Sequence, residues 1–166
     1  MTIQRRFFLA ALGVAAATLG SPARADDLPH PLVVYDDELK NGFQTWSWAK
    51  VEFGVPVGNG KPIRVEGEPW SALALHHEPF STKGYTKLVF YINGGATGGQ
   101  SIMVKTMLDK KMIETDYTIQ PKAKTWAVVE VPLKDINAAD KTIDTLVWQG
   151  KETAYPRYYI TRIQLE

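Results

Sequence analysis

The chain has 166 residues, enough for one domain, with 19 Lys and Arg, 18 Asp and Glu, and no Cys. Three of the basic residues fall within the first 25, leaving 16 against 18 acids, a net charge of −2 with no basic stripe, so a nucleic-acid footprint is excluded. The absence of Cys excludes disulfides, thiol chemistry and an acyl anchor on cysteine.

Residues 1–25 read as a cleaved export signal. Arg5-Arg6 precede Phe7-Phe8-Leu9-Ala10-Ala11-Leu12, and small apolar residues run on to Ala23-Arg24-Ala25, an A-x-A pattern before Asp26. The run from Gln4 through Leu9 resembles a twin-arginine motif, with a general secretory signal that carries two Arg as the alternative, and the expected compartment is periplasmic or secreted. No later stretch is apolar for long enough to span a bilayer, so no membrane contact is expected after cleavage.

Residues 26–32 carry two Pro and read as an extended lead-in. Short strands then follow one another. Residues 33–35 form the first, and Asn41-Gly42 marks a turn. Residues 45–53 alternate, with Trp46, Trp48 and Lys50 on one face. Residues 63–66 are a short strand. Across 70–77, Leu73 and Leu75 point one way with Ser71 and His77, and Ala72, Ala74 and His76 point the other. Across 87–93, Leu88, Phe90 and Ile92 form a core face opposite Val89, Tyr91 and Asn93.

The glycine-dense stretch 94–99 lies between strands and is not followed by Lys-Ser/Thr, so it reads as a tight connection and not as a phosphate loop. Strands at 101–108, 113–119 and 126–131 come next. A single helical turn is expected at 132–137, then strands at 143–149 and 158–165. Roughly ten short strands with turn signals between them, and no sustained helical period, predict an all-β sandwich or barrel over 33–166.

The order of features is similar to a known group. It comprises Val34-Tyr35-Asp36-Asp37 with Gly42-Phe43 and Trp46-Ser47-Trp48-Ala49, the strand from Trp70 to His77, and Tyr85 with Leu88, Phe90, Ile92-Asn93-Gly94-Gly95 and Gly98-Gly99-Gln100. Trp126 with Val129, Val131-Pro132-Leu133 and the closing Tyr159-Ile160, Ile163 and Leu165 complete it. Together these resemble the jelly-roll domains of the galactose-binding-like superfamily, which includes many carbohydrate-binding modules. The resemblance implies a β-sandwich of two antiparallel sheets with carbohydrate held on a concave face or at a loop end. It also implies a structural calcium near the first and last strands, with Asp36 and Asp37 as ligands and no other cofactor. Thr161-Arg162 stand where such domains often place an acid. A solvated acidic turn is the plainer reading of the same cluster.

On this resemblance the partner is a polysaccharide or oligosaccharide, and the function is non-catalytic sugar binding by aromatic stacking with amide and histidine hydrogen bonds. The ligand-binding candidates are Trp46, Trp48, Trp70 and Trp148 as platforms, with His76, His77, Tyr91, Gln100 and Gln149 as polar partners. Any of these Trp can instead be core, since a sandwich has two inner faces to fill. The alternatives are a structural or protein-interaction domain of the same fold, or a lyase-like enzyme. No catalytic residue is assigned: Gly-x-Ser-x-Gly is missing, the Glu residues are scattered, and His76 with Tyr91 is the only pair suited to acid–base work.

Overall fold

The computed structural model describes residues 28–166, so the expectation of an export signal at 1–25 and the first two residues of the 26–32 lead-in lie outside the described residues. Thirteen strands follow in order: β1 (Leu32–Asp36), β2 (Glu38–Leu39), β3 (Gln44–Thr45), β4 (Lys50–Glu52), β5 (Ile63–Gly67), β6 (Ala72–Ser81), β7 (Lys87–Asn93), β8 (Ile102–Leu108), β9 (Lys111–Ile113), β10 (Thr118–Ile119), β11 (Trp126–Pro132), β12 (Thr142–Gly150) and β13 (Tyr155–Leu165). One 3₁₀ turn, Leu133–Ile136, leaves the sheet after Pro132.

All pairings are antiparallel. One sheet runs β11-β7-β13-β1-β2, with β5 also on β13 and β4 on β5; the other runs β10-β8-β12-β6-β3, with β9 on β8. This is the two-sheet sandwich that the sequence predicts. The alternation explains it: Leu73 and Leu75 of β6, Leu146 and Trp148 of β12, and Val104 of β8 face Leu88, Phe90 and Ile92 of β7 and Ile160, Ile163 and Leu165 of β13, all within one core cluster. Burying an apolar side chain of this size contributes about 1.5–3 kcal/mol.

Local chemistry sets the corners. Asn41 and Gly42 both take positive φ, 50° and 81°, and Phe43 N–H bonds the Lys40 carbonyl at 3.0 Å. That is the two-residue turn that Asn-Gly favours. In β6 a register shift against β12 falls between the pairs Thr145–His76 and Ile143–Phe80, a bulge that returns Phe80 to the core.

Two predicted strands are divided. Residues 45–53 do not form one strand: β3 pairs with β6 in one sheet and β4 pairs with β5 in the other, so the chain crosses the sandwich between them. Residues 113–119 likewise split, with β9 and β10 pairing to opposite ends of β8.

Candidate functional site

Trp46 and Trp48 lie on the outer face of the six-stranded sheet, and the backbone of Trp70 adjoins them at its end. Just past β3, Trp46 N–H donates to the Ala74 carbonyl (2.9 Å) and Trp48 N–H to the Ala72 carbonyl (3.0 Å), so the chain runs along the edge of β6. The two indoles stand two residues apart, about 6.6 Å along a strand. They remain 46% exposed each, and Trp70 is 48% exposed.

Trp70 takes the left-handed backbone conformation, φ +63°, rare for a bulky residue and costing about 1–3 kcal/mol. Three hydrogen bonds hold it there. Its N–H donates to the Lys151 carbonyl at 2.9 Å, while its carbonyl accepts the Trp48 indole N–H and the Gln149 side-chain amide, each at 2.9 Å. Gln149 Oε1 has no hydrogen bond among the described residues, which leaves an acceptor beside the two indoles.

At the other end of the strip Trp46 lies flat on His76, with ring centroids 3.4 Å apart and planes 12° from parallel. The imidazole is itself fixed. Thr145 Oγ–H donates to Asp144 Oδ1 at 2.7 Å, so its lone pairs are left to accept from His76 Nδ1, 3.1 Å away. Asp144 Oδ2 accepts the Asp109 backbone N–H at 2.7 Å. Between the two ends Ala72, Ala74 and Val147 form a small covered cluster against Met107 and Met112. On the β8 side the face is closed by Lys105, nearly buried, whose ammonium pairs with Glu114 at 2.7 Å.

The predicted candidates therefore divide. Trp46, Trp48, His76 and Gln149 come together on this face, and Trp70 adjoins them at its end. Trp148 does not: it is 0% exposed and packs edge-on against Phe90 at 5.4 Å, because neighbours on a strand point to opposite sides and Gln149 takes the outward one. His77 also points away, against Phe43 and Phe80 (4.9 and 5.5 Å). Gln100 is buried, and its amide donates to the carbonyls of Gly94, Pro156 and Arg157 at 2.9, 3.2 and 3.0 Å, a tie between loops.

Tyr91 faces out from the other sheet, so His76 and Tyr91 form no pair. Asp36 and Asp37 lie on that side too; Asp37 Oδ1 already accepts the Lys61 N–H at 2.7 Å. Among the described residues no group of three or more His, Asp or Glu converges as a metal site. Asp144 and Thr145, which hold His76, were not singled out from the sequence; the alternation that places Gln149 outward also places Thr145 outward and is the available signal for it.

Solved structures of family 29 carbohydrate-binding modules share this architecture. One variant superposes with a TM-score of 0.60 at 14% identity, over 82% of this chain and 91% of that one. The chain shares the fold of these modules. A variant complexed with mannohexaose gives 0.59 at 15% identity, over 80% and 88% of the two chains. A third, complexed with cellulohexaose, gives 0.58 at 14%, over 81% and 89%. In sequence, 87 residues are 30% identical to an endoglucanase of Dictyostelium discoideum, covering 49% of this chain but only 12% of that enzyme. No family model matches the chain.

Proposed function

We propose that the protein binds a polysaccharide without cleaving it, along the outer face of the six-stranded sheet. The observation that carries this reading is the half-exposed Trp46 and Trp48 on one face, beside a third half-exposed indole, Trp70, whose strained backbone is held by Trp48 and Gln149. A pyranose ring has an apolar C–H face that covers an indole and hydroxyls that need fixed donors and acceptors. The strip offers indoles at both ends, the free oxygen of Gln149, and no charged side chain among its five converging residues. A ladder of platforms suits a chain of sugars more than a single ring. The likeness of fold to modules complexed with mannohexaose and cellulohexaose supports the same ligand class.

The test is isothermal titration with mannohexaose and cellohexaose. Trp46→Ala, Trp48→Ala and Trp70→Ala each remove one platform and weaken binding by about 1–2 kcal/mol, roughly fivefold to thirtyfold, as truncation of a central aromatic does. Because all three side chains are outside the core, circular dichroism stays close to that of the parent, and melting temperature falls slightly in Trp48→Ala, which also removes a bond to the Trp70 carbonyl. Affinity unchanged in all three variants would remove the basis of the proposal.

The same reading takes residues 1–25 as an export signal and places the protein in the periplasm or medium. A reporter fused behind residues 1–30 should be exported, and replacing both Arg5 and Arg6 by Lys should stop that export if the twin-arginine route is used.

A further inference from the structure

The opposite face of the sandwich carries a second concave site that the tryptophan strip does not use. A cavity of about 350 Å³ crosses the outer surface of the seven-stranded sheet, lined in part by Asp36, Asn59, Tyr91, Trp126, Thr161 and Arg162. A shallower depression of about 210 Å³ adjoins it and shares Asp36, Tyr91 and Arg162. These residues come from four separate segments: the end of β1, the loop between β4 and β5, the β7–β11 pair and β13.

Several features shape this cavity for a ligand. Trp126 opens the edge strand β11, opposite Asn93 of β7, and is 40% exposed. In β13 the register against β7 shifts between Thr161 and Gln164, and Arg162 adopts φ +49° inside that bulge. Bulges re-aim side chains, and here the guanidinium is laid over the Tyr91 ring, 5.2 Å from its centre. Among the described residues Arg162 makes no ion pair. Thr161 Oγ1 is buried at the cavity wall with no hydrogen-bond partner among the described residues.

The charge pattern selects the ligand class. Arg162 opposes a bare cation in the cavity. Asp36, with Asp37 beside it, opposes an anion. A neutral polyhydroxyl compound meets neither objection, because each hydroxyl both donates and accepts. It donates to Asp36, accepts from Arg162 and the Asn59 amide, and lays an apolar ring face on Trp126. We infer that this cavity is a second binding site, independent of the tryptophan strip, that takes the end of a neutral saccharide. Its compact, mixed-charge shape suits one or two sugar units, in contrast to the extended strip on the other side.

The experiment follows the Trp126 indole N–H in two-dimensional NMR, assigned by Trp126→Phe, with methyl mannoside, cellobiose and methyl galactoside as probes. It is run on the parent and on a Trp46→Ala/Trp48→Ala double variant. At least one of these sugars should move the Trp126 signal in both proteins, so loss of the first site leaves the second intact. Arg162→Gly, which suits the left-handed backbone, should weaken this response about tenfold or more, and isothermal titration of Trp126→Ala with the same sugar should show a loss of similar size. A Trp126 signal that stays still for all three sugars overturns the assignment. So does a response to galacturonate or to calcium alone, and so does a response that vanishes in the double variant.

Discussion

His76 contributes to the tryptophan face through another residue. It lies beneath Trp46 as a flat support, and Thr145 and Asp144 hold the support in place. His76→Ala removes the support but leaves the indole itself. Mannohexaose affinity should then fall by a smaller factor than in Trp46→Ala, about threefold to tenfold, or roughly 0.7–1.4 kcal/mol. His76→Phe restores a flat ring and should recover most of the loss, while Trp46 fluorescence reports whether the indole has returned to a fixed environment. An unchanged affinity in His76→Ala would mean that the indole needs no support. At this scale the sequence was partly legible. Alternation in 70–77 correctly separated His76 from His77, and the spacing of Trp46 and Trp48 correctly put both indoles on one side. Alternation also says that Trp148 and Gln149 oppose each other, but which of them faces outward depends on Leu73 and Val104 across the sheet, partners that no local pattern names.

Among the connecting elements, the glycine-rich link between β7 and β8 is the most constrained. It carries the chain from one sheet to the other and is clipped to residues 121–124 by three backbone bonds, Gly94 N–H to Lys122, Gly99 N–H to Pro121 and Lys124 N–H to Gly95, while Gly98 N–H closes the turn on Gly94. Gly98 has φ +64°, and a Cβ there would meet the Ala123 backbone nitrogen at 2.3 Å. Gly98→Ala therefore combines backbone strain with a clash against atoms that cannot rotate away, and should cost about 2–4 kcal/mol. Chemical denaturation measures this, and a loss below about 0.5 kcal/mol, the usual range of a surface substitution, would show that the link is free to shift. The glycines read correctly as a strand connection. Its span between layers was not legible, because the bonds that clip it come from residues 121–124 and from Gln100, the latter expected to face ligand. The division of 45–53 failed to show for a similar reason: a period-two pattern persists through a crossover when each half keeps an inward face.

For the molecule as a whole, stability rests on one continuous core, without disulfides, that buries several tyrosines. Burial pushes the Tyr158 hydroxyl well above the ordinary tyrosine range, and burial also raises Tyr35, Tyr85 and Tyr155. A tyrosine that stays protonated when folded but ionises when unfolded stabilises the protein fully below the unfolded value, about pH 10, and that stability is lost as pH rises from there toward the folded value. Melting temperature should therefore hold through neutral pH and fall above about pH 10, each such group adding up to about 1.4 kcal/mol per pH unit. Tyr158→Phe should flatten that fall. At neutral pH it should cost little, because the hydroxyl has no hydrogen-bond partner among the described residues. An alkaline slope identical to that of the parent would show that Tyr158 ionises without unfolding. The fold class was readable from strand spacing, whereas the unpartnered hydroxyl was not, since it depends on packing from both sheets at once.

The segment bearing Trp46 and Trp48 begins hydrogen-bonded in one sheet, through β3, and ends hydrogen-bonded in the other, through β4. A saccharide held on those indoles, as proposed, would be fastened where the chain passes from one layer of the sandwich to the other. Tension along the ligand loads both layers together, in shear, so the grip resists pulling in a way that a hairpin, opened one bond at a time, does not.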